Sequence, residues 1–422
     1  MSISETLKNV DLSFFDRPNV RRDTLPIAGG IPFGVETIAN SQLGIGGAYG
    51  TWGECYSNET LAALIEERWG RSLASEEKLN LGELGFMYRH HSPLLSTKEY
   101  YDLELEVGAR FLREAIQACG WEPAEIEAVL VGISSPVSND YTVQIARMAG
   151  IPEQAYKLSI HKACDSSVAA LNMVLNPNLA IHQRLGINLA EQLKGKKVLI
   201  GGIEALGRYV LMSNDSNAAQ LFGNGAGVIG VIPGSTMKFI AGASQEVYDE
   251  EGMLQVRMMY PHSRERLPDR PLTEISELEP GHFIVSGLMH EPHQGEPVVM
   301  AGPMGMVKLF VRNGVDTVKE AYAAYQEKLN ELGIPGKELA VSIVHHANLK
   351  INQLKAKHLQ REGIQIPMPW LIKEFGNVSA ASNMIAFLRE LPLLKPGDHI
   401  MIDGFGAGSY YDVLAVELPV RS

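Results

Sequence analysis

The chain repeats itself, and that limits its fold more than any other feature. "LFGNGAGVIGVIPG" (221–234) and "IDGFGAGSYYDVLAVEL" (402–418) both carry G-x-G-A-G followed by an apolar run. Taken singly, each is a tight glycine turn feeding a buried strand. The sequence upstream extends the match. "FLREAIQACGWEPAEIEAVLVGIS" reads as a helix, a glycine stop, a short loop and an apolar strand, and "AAYQEKLNELGIPGKELAVSIVHHAN" reads the same way. Gly120 and Gly333 are 213 positions apart, as are Glu125 and Glu338. The same step from Cys164 lands on Asn377, inside "EFGNVSAASNMIAFL", again a strand end, a sharp turn and a helix of small residues. This predicts two homologous α/β halves about a pseudo-twofold axis. Equivalent strand-to-helix turns then meet near the axis, so that Cys164 faces Asn377. His345, at the end of the "AVSIVHHAN" strand, comes from the same face of the second half. In open α/β sheets ligands bind outside the carboxyl ends of strands, which favours this end of the molecule.

Composition narrows the class. With 422 residues, 45% apolar and 20% charged, the chain has material for one large or two medium domains with real cores. No apolar run approaches the ~18 to 20 residues that span a bilayer. The start, "MSISETLKNVDLSFFDRPNVRRD", lacks the basic-then-apolar layout of a secretory signal. Three widely spaced cysteines, Cys55, Cys119 and Cys164, form neither a disulfide framework nor a metal set, so a reducing cytoplasm is expected. A net charge of −12 argues against a general nucleic-acid binder. "HSRERLPDR" (262–270) mixes both signs and reads as a solvated loop.

Cys164 stands in "HKACDSSVAAL" (161–171), where a helix begins. A thiolate there is stabilised by backbone N–H groups and the macrodipole, which predicts a thiol more acidic than a free one. Asp165 opposes that, and His161 and Lys162 are expected to offset it. From position alone an inert buried cysteine is the commoner fate, and Cys55 and Cys119 keep that reading.

Several stretches together resemble the thiolase-fold condensing enzymes, most closely β-ketoacyl-ACP synthase III. "ACDSSVAAL" is similar to the nucleophile segment, "FGNGAGVIGV" to F-G-D-G-A-G, "VHHANLKI" to P-H-Q-A-N-L-R-I, and "GNVSAAS" to G-N-T-S-A-A-S. The ending "GFGAG" resembles the family's closing glycine loop, and the match begins near residue 43. The resemblance implies an α-β-α-β-α thiolase-like fold: an extension over 1–42, a first half over 43–235 with the nucleophile, and a second half over 236–422 with the histidine and asparagine. It implies Cys164, His345 and Asn377 as catalytic residues, with the backbone N–H groups of Cys164 and Ala407 as an oxyanion hole. Gly406 and Gly408 would let the loop approach, and Lys350, Asn348 and Gly406 would meet the substrate or CoA. No metal and no bound cofactor are implied. The substrates implied are acyl-CoA and malonyl-CoA or malonyl-ACP, with an acyl carrier protein among the partners and a homodimer as the assembly. The reaction implied is acyl transfer to Cys164 and decarboxylative condensation with a malonyl-type extender. The rivals are non-decarboxylating transfer to another acceptor and a non-catalytic subunit of a heteromeric synthase. Thiolases are set aside because no second cysteine lies near the C-terminal glycine loop. Lys350 replaces the family's arginine, keeping the charge without the bidentate fork. No counterpart of the tryptophan-and-arginine CoA platform is readable in "NLGELGFMYRHH" (80–91). Residues 1–42 are expected to form an arm on the body or on a dimer partner, anchored by Phe14 and Phe15.

Overall fold

A computed structural model describes residues 13–211, 215–247, 271–287, 307–407 and 410–419. Its strands are β1 (Arg21–Leu25), β2 (Ile31–Asn40), β3 (Ile45–Trp52), β4 (Glu54–Ser57), β5 (Tyr88–His91), β6 (Ile126–Gly132), β7 (Tyr156–His161), β8 (Lys197–Ala205), β9 (Asn224–Val231), β10 (Lys238–Glu246), β11 (Glu274–Glu279), β12 (His282–Ser286), β13 (Leu339–Val344), β14 (His399–Gly406) and β15 (Tyr410–Glu417). They form a nine-stranded sheet ordered β1-β2-β3-β9-β8-β6-β7-β12-β11, a four-stranded sheet β10-β15-β14-β13, and the small pair β4-β5.

The duplication is visible in the pairing. The order β3-β9-β8-β6 recurs as β10-β15-β14-β13, with two antiparallel pairs and then a parallel one in both sheets. Residues 365–368 run beside β13, where the Ser342 N–H donates to Pro367 O at 2.8 Å, in the place that β7 takes beside β6. β8, β9 and β14 are buried along nearly their whole length, as expected of strands covered on both faces.

Helices Ser166–Leu175 and Ala381–Glu390 lie between the two sheets, and all ten residues of the first are buried. Helix Thr97–Ala118 covers the outer face of the large sheet with Leu103, Val107, Phe111 and Leu112. A capping box between Ser96 and Glu99 starts it, and Gly120, with φ +66°, follows its end. Helix Gly314–Glu331 covers the outer face of the smaller sheet, with Leu349–Arg361 packed against it. The layers therefore run α-β-α-β-α, as the sequence predicts.

Two features depart from the expected layout. Residues 13–42 are more than an arm: β1 and β2 extend the large sheet beyond β3. Phe14 is fully buried, with its ring 4.9 Å from Phe375 and 5.7 Å from Tyr49, and Phe15 stacks edge-on to His90. The second feature is β12, which returns from the back half of the sequence and pairs in parallel with β7. The large sheet thus draws on both sides of residue 236. The "HSRERLPDR" segment lies outside the described residues. Among the described residues no helix is long and apolar enough to cross a membrane.

Candidate active site

Cys164 sits in a single 3-10 turn, Ala163–Asp165, between β7 and helix Ser166–Leu175. Ala163 has φ +49°, a left-handed backbone that is costly for a residue with a side chain. Ser166 pins the turn: its hydroxyl donates to Ala163 O at 2.6 Å and accepts the Lys162 N–H at 2.8 Å. Two glycines of β14 press on it. A Cβ on Gly406 would lie 2.8 Å from Asp165 N and 3.0 Å from Cys164 N, and one on Gly404 would lie 2.2 Å from Asp165 Oδ1. Cys164 stays partly exposed.

The back half supplies the facing turn. Asn377 is buried; its N–H donates to Leu221 O at 2.9 Å, and its carbonyl accepts the Gly223 N–H at 3.2 Å. Its Oδ1 accepts the Ser379 N–H at 2.9 Å and its Nδ2 donates to Ala347 O at 3.4 Å. An amide nitrogen carries two hydrogens, so one remains for a ligand. Ser379 has φ +44°, and its hydroxyl favours the Cys164 thiolate.

His345 follows β13, its backbone N–H donating to Asp403 O at 2.9 Å. Its ring stands edge-on to Phe405, with centroids 5.0 Å apart. Neither ring nitrogen has a partner among the described residues. Burial, followed by the neighbouring His346 and Lys355, pushes it down to about 3, so the imidazole is neutral, with one donor and one acceptor nitrogen. His346 is tied at both nitrogens: Nδ1 to Val344 O at 2.7 Å, and Nε2 accepting the Leu371 N–H at 3.0 Å. The two histidines of "HHAN" therefore differ in what they have free.

One expectation is reversed. Burial pushes the Cys164 thiol up to about 12; the Ser379 hydroxyl and the residue's own N–H favour the anion, while Glu204 and Asp165 oppose it. The helix proper begins only at Ser166, so the sulfur lies before its first turn. The two flanking bases give no offset. His161 is held low by burial and bonds to Ile133 O at 2.8 Å. Lys162 runs to Glu246 (3.3 Å) and Asp412 (3.6 Å). Asp165 is raised well above the usual carboxylate value by burial and by Asp412.

Of the remaining residues singled out, Asn348 caps helix Leu349–Arg361, its Oδ1 accepting the Ile351 N–H at 2.9 Å. Lys350 is exposed and pairs with Glu83 at 2.5 Å. Ala407 lies in the partly exposed turn after β14, and Gly408 is outside the described residues. Burial raises Cys55 to about 11 and Cys119 to about 12.

Sequence reading missed a buried polar cluster beside the cysteine. Glu204, near the end of β8, accepts the Ser134 hydroxyl at 2.7 Å, the Ser134 N–H at 3.0 Å and the Ala380 N–H at 3.2 Å. Ser379 Oγ is hydrogen-bonded to the Ser134 hydroxyl at 2.8 Å. A lone glutamate in the apolar run "VLIGGIEAL" was the available signal.

Comparison with known proteins agrees with this fold. Residues 329–418 match the family described as 3-oxoacyl-[acyl-carrier-protein] synthase III C terminal. The β-ketoacyl-[acyl-carrier-protein] synthase III of Roseiflexus sp. is 24% identical over 70% of this chain and 78% of its own. Synthase III 1 of Halalkalibacterium halodurans is 26% identical over 72% and 79%. The crystal structure of 3-oxoacyl-[acyl-carrier-protein] synthase III from Aquifex aeolicus superposes with a TM-score of 0.59 at 17% identity, covering 94% of this chain and 99% of that one. The type III polyketide synthase 1,3,6,8-tetrahydroxynaphthalene synthase from Streptomyces coelicolor gives 0.59 at 14% identity, covering 88% and 97%. Layers, duplicated sheets and facing turns are those of a thiolase-like fold. In sequence the chain is similar to β-ketoacyl-ACP synthase III.

Proposed function

We propose that the chain is an acyltransferase of the β-ketoacyl synthase III kind. Cys164 attacks an acyl thioester of CoA or of a carrier-protein phosphopantetheine; the new C–S bond forms as the donor's C–S bond breaks. The N–H groups of Cys164 and Ala407 hold the tetrahedral oxyanion. A malonyl-type thioester then enters, and His345 and Asn377 donate to its thioester oxygen while carbon dioxide leaves. The resulting enolate attacks the acyl-cysteine and returns the sulfur. Donors aimed at developing charge in a dry site are worth several kcal/mol of barrier, on the order of 3 per donor. The enzyme would work as a cytoplasmic homodimer.

The observation that carries this reading is that the hydroxyl of Ser379, two residues past Asn377 and from the other half of the chain, favours the Cys164 thiolate. The neutral His345, with both nitrogens unpartnered, supports it. Intact-protein mass spectrometry after incubation with an acyl-CoA panel tests it. One acyl increment is expected on the native chain and none on Cys164→Ala. Malonyl-CoA should then discharge the increment with release of carbon dioxide. Acylation that survives Cys164→Ala would overturn the assignment.

A further inference from the structure

We propose that Glu204 is a positioning residue for the second step of the reaction: from the first half of the chain, it fixes the turn that aims the Asn377 carboxamide. The inference rests on the acyl-cysteine reading and deepens it by naming what holds one of its two donors.

A carboxamide is nearly symmetrical in shape, so its neighbours decide which end faces a ligand. The Asn377 backbone is anchored independently, by Leu221 O at 2.9 Å and the Gly223 N–H at 3.2 Å. Two more contacts hold the side chain. Nδ2 reaches Ala347 O at a long 3.4 Å, and Oδ1 accepts the Ser379 N–H at 2.9 Å. The shorter bond selects the end. With Oδ1 turned to an N–H, the second hydrogen of Nδ2 is left for a thioester oxygen. Asn377 is therefore aimed only while the Ser379 N–H stays in place.

Ser379 does not hold that place unaided. Its φ of +44° costs on the order of 1 to 2 kcal/mol for a residue with a side chain. Its hydroxyl is bonded to the Ser134 hydroxyl at 2.8 Å, and the next N–H, of Ala380, donates to Glu204 Oε1 at 3.2 Å. Ser134 in turn donates to the same carboxylate, through its hydroxyl at 2.7 Å and its N–H at 3.0 Å. Glu204 thus ties the loop after β6 to the turn after Asn377. It also serves helix Ala381–Glu390, which has no side-chain cap of its own at Ala380.

The arrangement suits a carboxylate, because both oxygens of Glu204 accept. A glutamine there would set an amide N–H against backbone N–H groups. Glu204 is fully buried, and its hydrogen-bond partners among the described residues are hydroxyl and N–H groups. The other donor is held differently. His345 packs on Phe405 and has no bonded partner at either ring nitrogen, so the clamp acts on Asn377 and not on both. The negative charge of Glu204 opposes the Cys164 thiolate, so removing that charge does not hinder the first step.

The test separates the two steps in Glu204→Gln, Ser134→Ala, Asn377→Ala and the double variants, using full-length protein. Mass spectrometry follows loading of Cys164 by the acyl-CoA that loads the native chain fastest, then discharge by malonyl-CoA. Loading of Glu204→Gln and Ser134→Ala should be at least as fast as native, and discharge should fall about ten- to hundredfold. Adding either change to Asn377→Ala should lower discharge by no more than about twofold further. Loading and discharge that fall together, or losses that add to that of Asn377→Ala, overturn the proposal. Ser134→Ala decides the matter should Glu204→Gln fail to fold. A crystal structure of Ser134→Ala reads the same point without any acyl donor. The Asn377 carboxamide should have left the Ser379 N–H, and an unmoved carboxamide overturns the clamp. The two readings therefore fail separately: a displaced carboxamide, with no acyl group taken up by the native chain, would leave the clamp and remove the acyltransferase.

Discussion

Ala163 and Gly376 occupy equivalent places in the two halves, 213 positions apart, and both have left-handed backbone, with φ +49° and +76°. Each is the residue immediately before a proposed reacting side chain, Cys164 or Asn377. The surroundings of the two differ. A Cβ at Gly376 would meet Arg89 Cδ at 2.4 Å and the Leu221 carbonyl at 2.9 Å. Gly376→Ala is therefore expected to lower stability by about 2 to 4 kcal/mol. Ala163→Gly should stay within about 1 kcal/mol of the native value, because relief of strain offsets added freedom in the unfolded chain. Urea denaturation of both variants checks the contrast; equal costs would refute it.

The Lys355–Asp403 pair, 2.6 Å apart and almost wholly buried, lies beneath Phe405. Lys355→Met leaves a buried carboxylate alone and should cost about 3 to 5 kcal/mol. Adding Asp403→Leu should return most of that loss. Denaturant midpoints of the single and double variants measure it.

His90 is buried between Phe15 and Phe375 and is pushed down to about 3 by burial and by Arg89. The folded state thus binds fewer protons than the unfolded state between about pH 3 and the ordinary value of 6.5, and stability falls as pH drops through that window. His90→Phe removes this contribution. Between pH 6 and 4 the native chain should lose about 1.4 kcal/mol per pH unit more than the variant. Identical acid limbs would refute the assignment.

Phe14 tests the role of the N-terminal segment. Its ring is fully buried against Phe375, which leads into Gly376 and Asn377. Phe14→Ala should cost about 3 to 5 kcal/mol in a denaturation experiment. A cost below about 1 kcal/mol would mean that the segment is not part of the folded unit.

The parts of this molecule that could be read from the sequence are those whose signal is local. The repeated turns, the glycine stops at Gly120 and Gly333 and the strand before His345 each lie within a short window, and their equal spacing revealed the duplication. The Glu204 cluster is different. Its partners Ser134 and Ala380 stand 70 and 176 positions away, so only the fold shows that they meet on one carboxylate. The acidity of Cys164 was misjudged for a related reason. A helix start is visible in sequence, whereas the desolvation and the facing carboxylate that outweigh it come from distant strands. The N-terminal segment was read as an arm because its turn formers stood out. The buried face of Ile31, Phe33 and Val35, which makes β2 a strand, was passed over.

The return of β12 onto β7 bears on how two such chains can associate. β7 has both hydrogen-bonding edges filled, by β6 on one side and β12 on the other. A neighbouring molecule therefore cannot lengthen the sheet from β7 by adding a strand. The outermost described strand on that flank is β11, where Glu274, Glu277 and Glu279 would set like charges against a second copy lying alongside. Among the described residues, this flank therefore disfavours a β-ladder shared with a second copy.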